Sequence, residues 1–207
     1  MSGIRILAVS DTESKYIWEY FDPVPFRNVD LIISCGDLKA EYLSYLVTMI
    51  PAPLFYVHGN HDKSYKYRPP LGCECIDGRL VDFEGVRILG LGGCKSFQPD
   101  EHQYTEQQMW QRYKKAVPAI RKAGGIDILV SHAPSIGLGD GPDEFHRGFE
   151  ALRFIDEEYR PQLHLFGHRH MSGSPVARAN VFTFGETSMI NTTGYRLIEV
   201  NKQESIG

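Results

Sequence analysis

The chain contains five short apolar segments, each of which runs directly into a cluster of polar residues. Near-continuous apolar runs of this length are typical of strands that are buried on both faces of a sheet. Helical patterns at residues 40–49, 105–123 and 148–159 lie between them, and this alternation predicts an α/β fold. The five segments cover residues 4–11, 31–37, 53–62, 126–134 and 162–170.

Other parts of the chain predict hairpins rather than β-α units. Residues 79–83 and 86–91 flank a Glu84-Gly85 turn, which is a hairpin signal. Three short β-type segments follow near the end of the chain, at residues 181–184, 189–192 and 195–200. We therefore expect two sheets, one built from β-α units and one from hairpins, in a single domain that spans residues 1–207.

Charge and hydrophobicity exclude some classes of partner. The chain has 22 basic and 26 acidic residues and a formal net charge of −4, whereas non-specific binding to nucleic acid or anionic lipid needs a positive field.

No apolar run approaches the roughly 20 residues that span a bilayer. The apolar start of the chain ends at Asp11, too early for a signal peptide. We expect a cytoplasmic protein without a membrane partner, in which the four cysteines are reduced thiols. The composition leaves the oligomeric state open.

The polar clusters at the strand ends predict a metal site. In open α/β sheets, ligands bind at the carboxyl ends of the strands. Oxygen and imidazole donors together suit borderline divalent metals such as Mn, Fe, Zn or Ni. A glycine precedes three of the clusters and would allow the backbone to approach a metal closely. The candidate donors are Asp11, Asp37, Asn60, His132, His168 and His170.

The order of these clusters resembles the calcineurin-like metallophosphoesterases, whose motifs are D-x-H, G-D, G-N-H-D/E, a lone His, and G-H-x-H. The resemblance extends over residues 11–170 and implies an α/β fold of the metallophosphoesterase type, a two-sheet αββα sandwich. The matching residues are Asp11-Thr12-Glu13, Gly36-Asp37, Gly59-Asn60-His61-Asp62, His132 and Gly167-His168-Arg169-His170.

The resemblance also implies two divalent metal ions and a role for each motif residue. Asp37 would bridge the two ions, and His61 would face the substrate as the catalytic residue that protonates the leaving group. The first ion would be held by Asp11, Asp37 and His170, and the second by Asp37, Asn60, His132 and His168.

Glu13 stands where the family has a histidine. A carboxylate can still ligate, and as a hard oxygen donor it would favour Mn or Mg over softer ions. We therefore take Glu13 as a further candidate ligand and expect Mn first, with Fe, Zn, Ni or Mg as alternatives. The other reading is that Glu13 does not reach the metal.

The resemblance implies hydrolysis of a small phosphate ester. The phosphoprotein-phosphatase branch carries arginines after G-D and G-N-H, where this chain has Leu38-Lys39-Ala40 and Lys63-Ser64-Tyr65. Without that clamp we expect a phosphodiesterase that acts on a small or nucleotide-like diester. The alternatives are a phosphomonoesterase, or a non-catalytic protein-binding scaffold with the same fold, such as a retromer subunit.

The loop at residues 134–148 supplies candidate substrate ligands. It follows His132 and carries His146 and Arg147, and the planar guanidinium of arginine suits phosphate oxygens. Three further histidines lie outside the motif positions, and we expect them to be structural: His58, His102 and His164.

Overall fold

Most of the described strands gather into two large mixed sheets. The computed structural model describes residues 3–98, 100–143, 146–169 and 181–201. The strands are β1 (Ile4–Ser10), β2 (Leu31–Ser34), β3 (Leu54–Tyr56), β4 (Cys73–Cys75), β5 (Leu80–Phe83), β6 (Val86–Leu91), β7 (Cys94–Lys95), β8 (Gln103–Tyr104), β9 (Ile128–Ser131), β10 (Leu163–Phe166), β11 (Val181–Phe184), β12 (Thr187–Asn191) and β13 (Gly194–Val200).

Both sheets have a parallel centre and antiparallel pairing at an edge. The first has the order β13-β1-β2-β3-β4, with β13 antiparallel to β1. The second has the order β11-β12-β10-β9-β6-β5, with β11 and β5 as its antiparallel edges. The expected division into one β-α sheet and one hairpin sheet is therefore wrong. It fails because β6 pairs with its hairpin partner β5 on one side and in parallel with β9 on the other, and because the last three strands divide between the sheets.

Four helices accompany the described strands, and α3 has clear sequence-encoded ends. The Thr105 hydroxyl accepts from the backbone N–H of Gln108 at 3.2 Å, and the Gln108 side chain accepts from the Thr105 N–H at 2.8 Å. This capping box begins the helix, and Gly124 ends it in the left-handed conformation, at φ 76°. Within the described ranges, no helix is both long and apolar enough to cross a bilayer. The helices are α1 (Lys15–Trp18), α2 (Ala40–Met49), α3 (Glu106–Ala123) and α4 (Glu150–Tyr159).

The apolar core has three layers, which follow from the alternation of side chains along each strand. Ile33 of β2 and Val130 of β9 share the cluster between the two sheets. Their chain neighbours point the other way: Ile32 packs in the cluster with Leu43 of α2, and Leu129 packs with α3 and α4. Helices thus cover the outer faces of two facing sheets, and the expected αββα sandwich is confirmed.

Candidate metal centre and adjoining cleft

Three donors from both sheets converge on the imidazole of His132, which follows β9 and is fully buried. Its Nε2 atom lies 3.0 Å from Oδ1 of Asn60, 3.1 Å from Nδ1 of His168 and 3.3 Å from Oδ2 of Asp37. The chain thus brings together the four residues that the sequence predicted for the second metal.

The other nitrogen of His132 fixes its tautomer. Nδ1 lies 2.8 Å from the carbonyl oxygen of Cys35, and a carbonyl can only accept a hydrogen bond. Nδ1 therefore carries a proton, and in the neutral ring the lone pair of Nε2 points at the other donors. A backbone partner on the second nitrogen is the usual arrangement for a metal-binding histidine. This donor set fits a divalent ion.

The charges of Asp37 and His132 depend on each other. Burial would raise the pKa of Asp37, but the hydrogen bond and charge of His132 and the N–H of His61 lower it to about 2. Burial would lower the pKa of His132, but the hydrogen bond and charge of Asp37 raise it to about 9. The group therefore favours a positive charge at its centre, which a proton or a metal ion would supply.

The backbone is strained at three of the predicted donors. Asp11, Asp37 and His168 have φ values of 59°, 58° and 64°, in the left-handed region that costs non-glycine residues roughly 1–2 kcal/mol. Each lies just after a strand end. Strain of this kind persists where the surrounding structure enforces it, and it clusters at functional sites.

Two motif glycines make room for the carboxylates of this site, a role that the sequence reading did not assign to them. A Cβ atom on Gly59 would lie 2.0 Å from Oδ1 of Asp37, and one on Gly167 would lie 2.4 Å from Oδ2 of Asp11. Real side chains do not come this close. Any side chain at either position would therefore displace a predicted metal ligand.

Asp62 positions the donors without being one of the group, and the sequence reading gave it no role. Its Oδ2 atom accepts from the backbone N–H of Gly59 at 2.7 Å and of Asp37 at 2.9 Å. Burial raises the pKa of this carboxyl. Asp62 thus ties the second and third motifs together, and the signal for it was the acidic residue that ends G-N-H-D.

The predicted residues of the first metal site are placed differently. The carboxylate oxygens of Asp11 accept from the backbone N–H of His168 at 3.0 and 3.1 Å, and Oδ2 lies 3.3 Å from the Thr193 hydroxyl. Oε1 of Glu13 lies 3.3 Å from the backbone nitrogen of Lys39, at the start of α2. The structure does not bring Glu13 into the group around His132. His170 lies outside the described residues.

His61 lies at the mouth of the site. Its backbone N–H donates to Oδ1 of Asp37 at 2.7 Å, and Nε2 of its ring lies 4.0 Å from Oδ2 of the same carboxylate. The side chain is 78% exposed. His61 is thus anchored to a metal-ligand candidate by its backbone while its ring remains accessible to a bound molecule.

The two predicted substrate ligands are in different surroundings. The ring centroid of His146 lies 5.3 Å from that of His168, and Nδ1 of His146 lies 2.8 and 2.9 Å from the carboxylate oxygens of Asp143. Arg147 lines a neighbouring cleft together with Lys95 and Phe97. His146 is therefore next to the donor group, whereas Arg147 faces the neighbouring cleft.

A cleft of about 550 Å³ opens beside the donor group. Asn60 and His168 of the donor group line it, and most of the other lining residues come from the segment between β6 and α3. The residues that line it are Asn60, Cys94, Lys95, Ser96, Phe97, Gln98, Asp100, Gln103 and His168.

Asp77 and Arg112 join the segment after β3, through His58, to the segment after β6, through Gly92. The sequence reading gave neither residue a role. Asp77 contacts Nδ1 of His58 at 3.3 Å and the N–H of Gly92 at 2.7 Å, and it forms a salt bridge with Arg112. Arg112 also donates to the carbonyl of Gly92 at 2.6 Å, and the rings of His58 and His102 stack at 4.0 Å. Because both oxygens of Asp77 have partners, we read this cluster as a structural tie.

His164 belongs to a second buried network. Its Nδ1 lies 3.0 Å from Oδ2 of Asp156, and its Nε2 lies 2.8 Å from the Ser131 hydroxyl. All three side chains are buried, and Ser131 immediately precedes His132. This network supports the strand end that carries His132.

The chain is similar in sequence to several known proteins. A UPF0046 protein of Caenorhabditis elegans is 24% identical, over 91% of this chain and 74% of its own length. The human metallophosphoesterase domain-containing protein 1 is also 24% identical, over 80% of this chain and 60% of its own length. The chain therefore spans less than two thirds of that human relative.

A solved structure with the same fold is that of TT1561 from Thermus thermophilus. It has a TM-score of 0.65 and 14% sequence identity, and it covers 98% of this chain and 100% of its own. The family model for calcineurin-like phosphoesterases matches residues 4–172. This range includes every predicted donor and most of both sheets, and the chain therefore belongs to the calcineurin-like phosphoesterase family, a family of metal-dependent phosphoester hydrolases.

Proposed function

We propose that this chain is a dinuclear-metal phosphodiesterase that acts on small phosphate diesters. The observation that carries the proposal is the convergence of Asp37, Asn60 and His168 on Nε2 of a buried histidine whose tautomer suits ligation. The placement of this group at the strand ends of two parallel-centred sheets, beside an open cleft, supports a site for small molecules.

Two divalent ions would be held by unequal sets of residues. The second site has its proposed donors gathered around His132, whereas the first would rest on Asp11, Asp37 and His170. Carboxylate donors favour Mn, and Fe, Zn, Ni and Mg are the alternatives. When bound, such ions lower the pKa of a coordinated water and neutralise charge on the phosphoryl group.

His61 would protonate the leaving oxygen. Its ring is exposed at the mouth of the site, while its backbone N–H holds it to Asp37 at 2.7 Å. An imidazole can hold a proton and give it up within the working pH range of most enzymes. Asn60 would orient the second ion as a neutral oxygen donor.

The surroundings of the neighbouring cations favour a diester over a monoester. Lys39 pairs with Glu13, Lys63 pairs with Asp100, and the guanidinium of Arg169 donates to the carbonyl of Asp140. A monoester dianion needs more positive charge around it than a diester monoanion. The charges of these three side chains are already paired with protein groups. His146, next to His168, would contact a phosphoryl oxygen. Arg147, in the neighbouring cleft, would contact the remainder of a larger ester.

A substrate comparison tests the proposal. The protein is stripped of metal, reloaded with Mn, and assayed with bis-p-nitrophenyl phosphate and p-nitrophenyl phosphate at matched concentrations. We expect metal-dependent turnover with a kcat/KM at least tenfold higher for the diester. Asp37→Asn should remove the activity, whereas Glu41→Gln, an exposed change on α2, should retain it.

Two outcomes would contradict the proposal. A higher kcat/KM for the monoester would assign the chain to the phosphomonoesterases. Absence of turnover with Mn, Fe, Zn, Ni and Mg, in protein that elemental analysis shows to be loaded, would favour the non-catalytic scaffold.

A further inference from the structure

We propose that the cleft beside the metal centre binds an uncharged aromatic group of the ester, and that Phe97 is the surface on which this group stacks. The inference deepens the proposed function because it assigns the organic part of the substrate. It rests on that proposal only in placing the phosphoryl group next to Asn60 and His168.

Phe97 is the first observation. Its side chain is 71% exposed, and it lines the same cleft as Asn60 and His168. Exposure of an apolar ring to water is unfavourable in proportion to its apolar area. A ligand ring that covered Phe97 would remove this area from water, and an aromatic pair is stabilised beyond the buried area alone.

The segment that carries Phe97 is anchored at both of its ends. β7 pairs with β8 on either side of it, through Cys94 with Gln103. Arg112 donates to the carbonyl of Gly92 at 2.6 Å, and its guanidinium lies 4.2 Å from the ring centroid of Tyr104. Phe97 is therefore presented toward the cleft by a supported segment, and a stacking surface needs such support.

The charges of the cleft argue for a neutral group. The ammonium of Lys95 lies 2.8 Å from Oε2 of Glu106, and its side chain is largely buried. Asp100, at the other side, pairs with Lys63. Because both the cation and the anion of the lining have partners, the cleft has little to offer a second phosphate or an ammonium group.

The remaining polar groups of the lining suit a planar ring with polar edges. The side-chain amides of Gln98 and Gln103 each carry donors and an acceptor. Such amides can pair with the edge of a heteroaromatic ring while its face lies on an aromatic side chain. The cleft thus fits a nucleobase-like group better than a saturated sugar or an acyl chain.

The test measures binding rather than turnover. Calorimetry with the Mn-loaded protein compares phenylphosphonate with cyclohexylphosphonate, which carry the same charged group on an aromatic and a saturated ring. A merely apolar cleft favours the cyclohexyl compound, since it is the more hydrophobic of the two. We expect phenylphosphonate to bind about 3- to 10-fold more tightly, from the stacking free energy of an aromatic pair.

Variants then assign the preference to Phe97. Phe97→Ala should abolish it, and Phe97→Trp should retain or increase it. Tyr20→Ala is the matched control, because Tyr20 is also 71% exposed but does not line the cleft; it should keep the wild-type ratio. Thermal unfolding should show that each variant folds.

Equal affinities for the two phosphonates, or an unchanged preference in Phe97→Ala, would overturn the proposal while leaving hydrolysis intact. Loss of self-association in Phe97→Ala, without any aromatic preference in the wild type, would also overturn it and identify a protein contact. Conversely, an aromatic preference in a protein that hydrolyses no ester would refute the proposed function and leave this site standing.

Discussion

Asp37 and His132 follow strands of different sheets, and Oδ2 of Asp37 lies 3.3 Å from Nε2 of His132. A backbone hydrogen bond orients each side chain. Oδ1 of Asp37 accepts from the N–H of His61, and Nδ1 of His132 donates to the carbonyl of Cys35. The carboxyl ends of β2 and β9 therefore bring together, from the two facing sheets, a donor group that suits a cation.

The first prediction concerns Asp37, which would contact both ions. Asp37→Asn should remove most of the bound metal and lower kcat/KM by more than about 10²-fold, because an amide cannot replace the negative charge. Elemental analysis after dialysis and a diester assay check this. Glu41→Gln should keep the wild-type metal content. Full metal content and activity in Asp37→Asn would refute the proposed centre.

The second prediction separates proton transfer from metal binding at His61. His61→Ala should lower kcat by about 10²–10⁴-fold, the usual contribution of a general acid, with metal content unchanged because its ring is not in the donor group. The loss should be smaller for nitrophenyl esters, whose leaving groups need little protonation, than for alkyl esters. If the variant instead loses its metal, His61 has a ligand or support role.

The third prediction concerns Glu13, for which sequence and structure favour different roles. Its carboxylate lies at the start of α2, 3.3 Å from the backbone nitrogen of Lys39, where a negative charge stabilises a helix. Glu13→Ala should therefore leave metal stoichiometry and metal preference unchanged and lower the free energy of unfolding by about 0.5–1 kcal/mol.

Glu13→His provides the complementary experiment. A histidine restores the family motif and adds an imidazole, which should tighten the binding of Zn or Fe relative to Mn. Competitive metal titrations of the two variants measure this. A changed stoichiometry or metal preference in Glu13→Ala would show that Glu13 turns to the metal, as the sequence suggested.

The fourth prediction is a pH dependence that comes from Asp77. Burial would raise the pKa of its carboxyl, but Arg112 and His58, with the N–H of Gly92, lower it to about 2. A carboxyl with a lowered pKa stabilises the fold above its unfolded value of about 4 and loses that stabilisation as the pH falls toward 2.

Asp77→Asn measures this contribution. At neutral pH it should lower the free energy of unfolding by roughly 2–3 kcal/mol, and the difference from the wild type should shrink between about pH 4 and 2. Denaturant unfolding at several pH values checks the trend, with Asp82→Asn, at an exposed position of β5, as the control. A difference that stays constant with pH would mean that Asp77 acts through packing alone.

The sequence predicted much of this site because its donors follow strands. Asp37, Asn60, His132 and His168 each come at or shortly after the end of an apolar run. Parallel pairing of β2 with β3 brings the first two to one end of their sheet, and parallel pairing of β9 with β10 does the same for the two histidines. The motif glycines were predicted to let the backbone approach a metal, but the structure gives Gly59 a different role, because it leaves space for the Asp37 carboxylate of the preceding motif.

What the sequence could not predict depends on side-chain direction and on distant pairs. Glu13 has a backbone N–H at the start of α2 within reach, and that competition exists only in the folded chain. Asp77 and Arg112 are 35 positions apart and belong to no motif. The division of the last strands between two sheets follows from which edges are free, and a local pattern of apolar residues carries no such information.

The strained backbone at Asp11, Asp37 and His168 has a consequence for how the protein would respond to removal of bound metal. These residues have unfavourable φ values. A chelator would remove the positive charge of the metal, which would otherwise stabilise this backbone conformation. The loops that carry these residues should then relax toward ordinary backbone conformations. The sandwich should open locally at the strand ends that carry the donor group before it unfolds elsewhere. Amide hydrogen exchange at Gly36, Asp37 and His168 should accelerate after chelation, while the interior strands, such as β2 and β9, keep their protection.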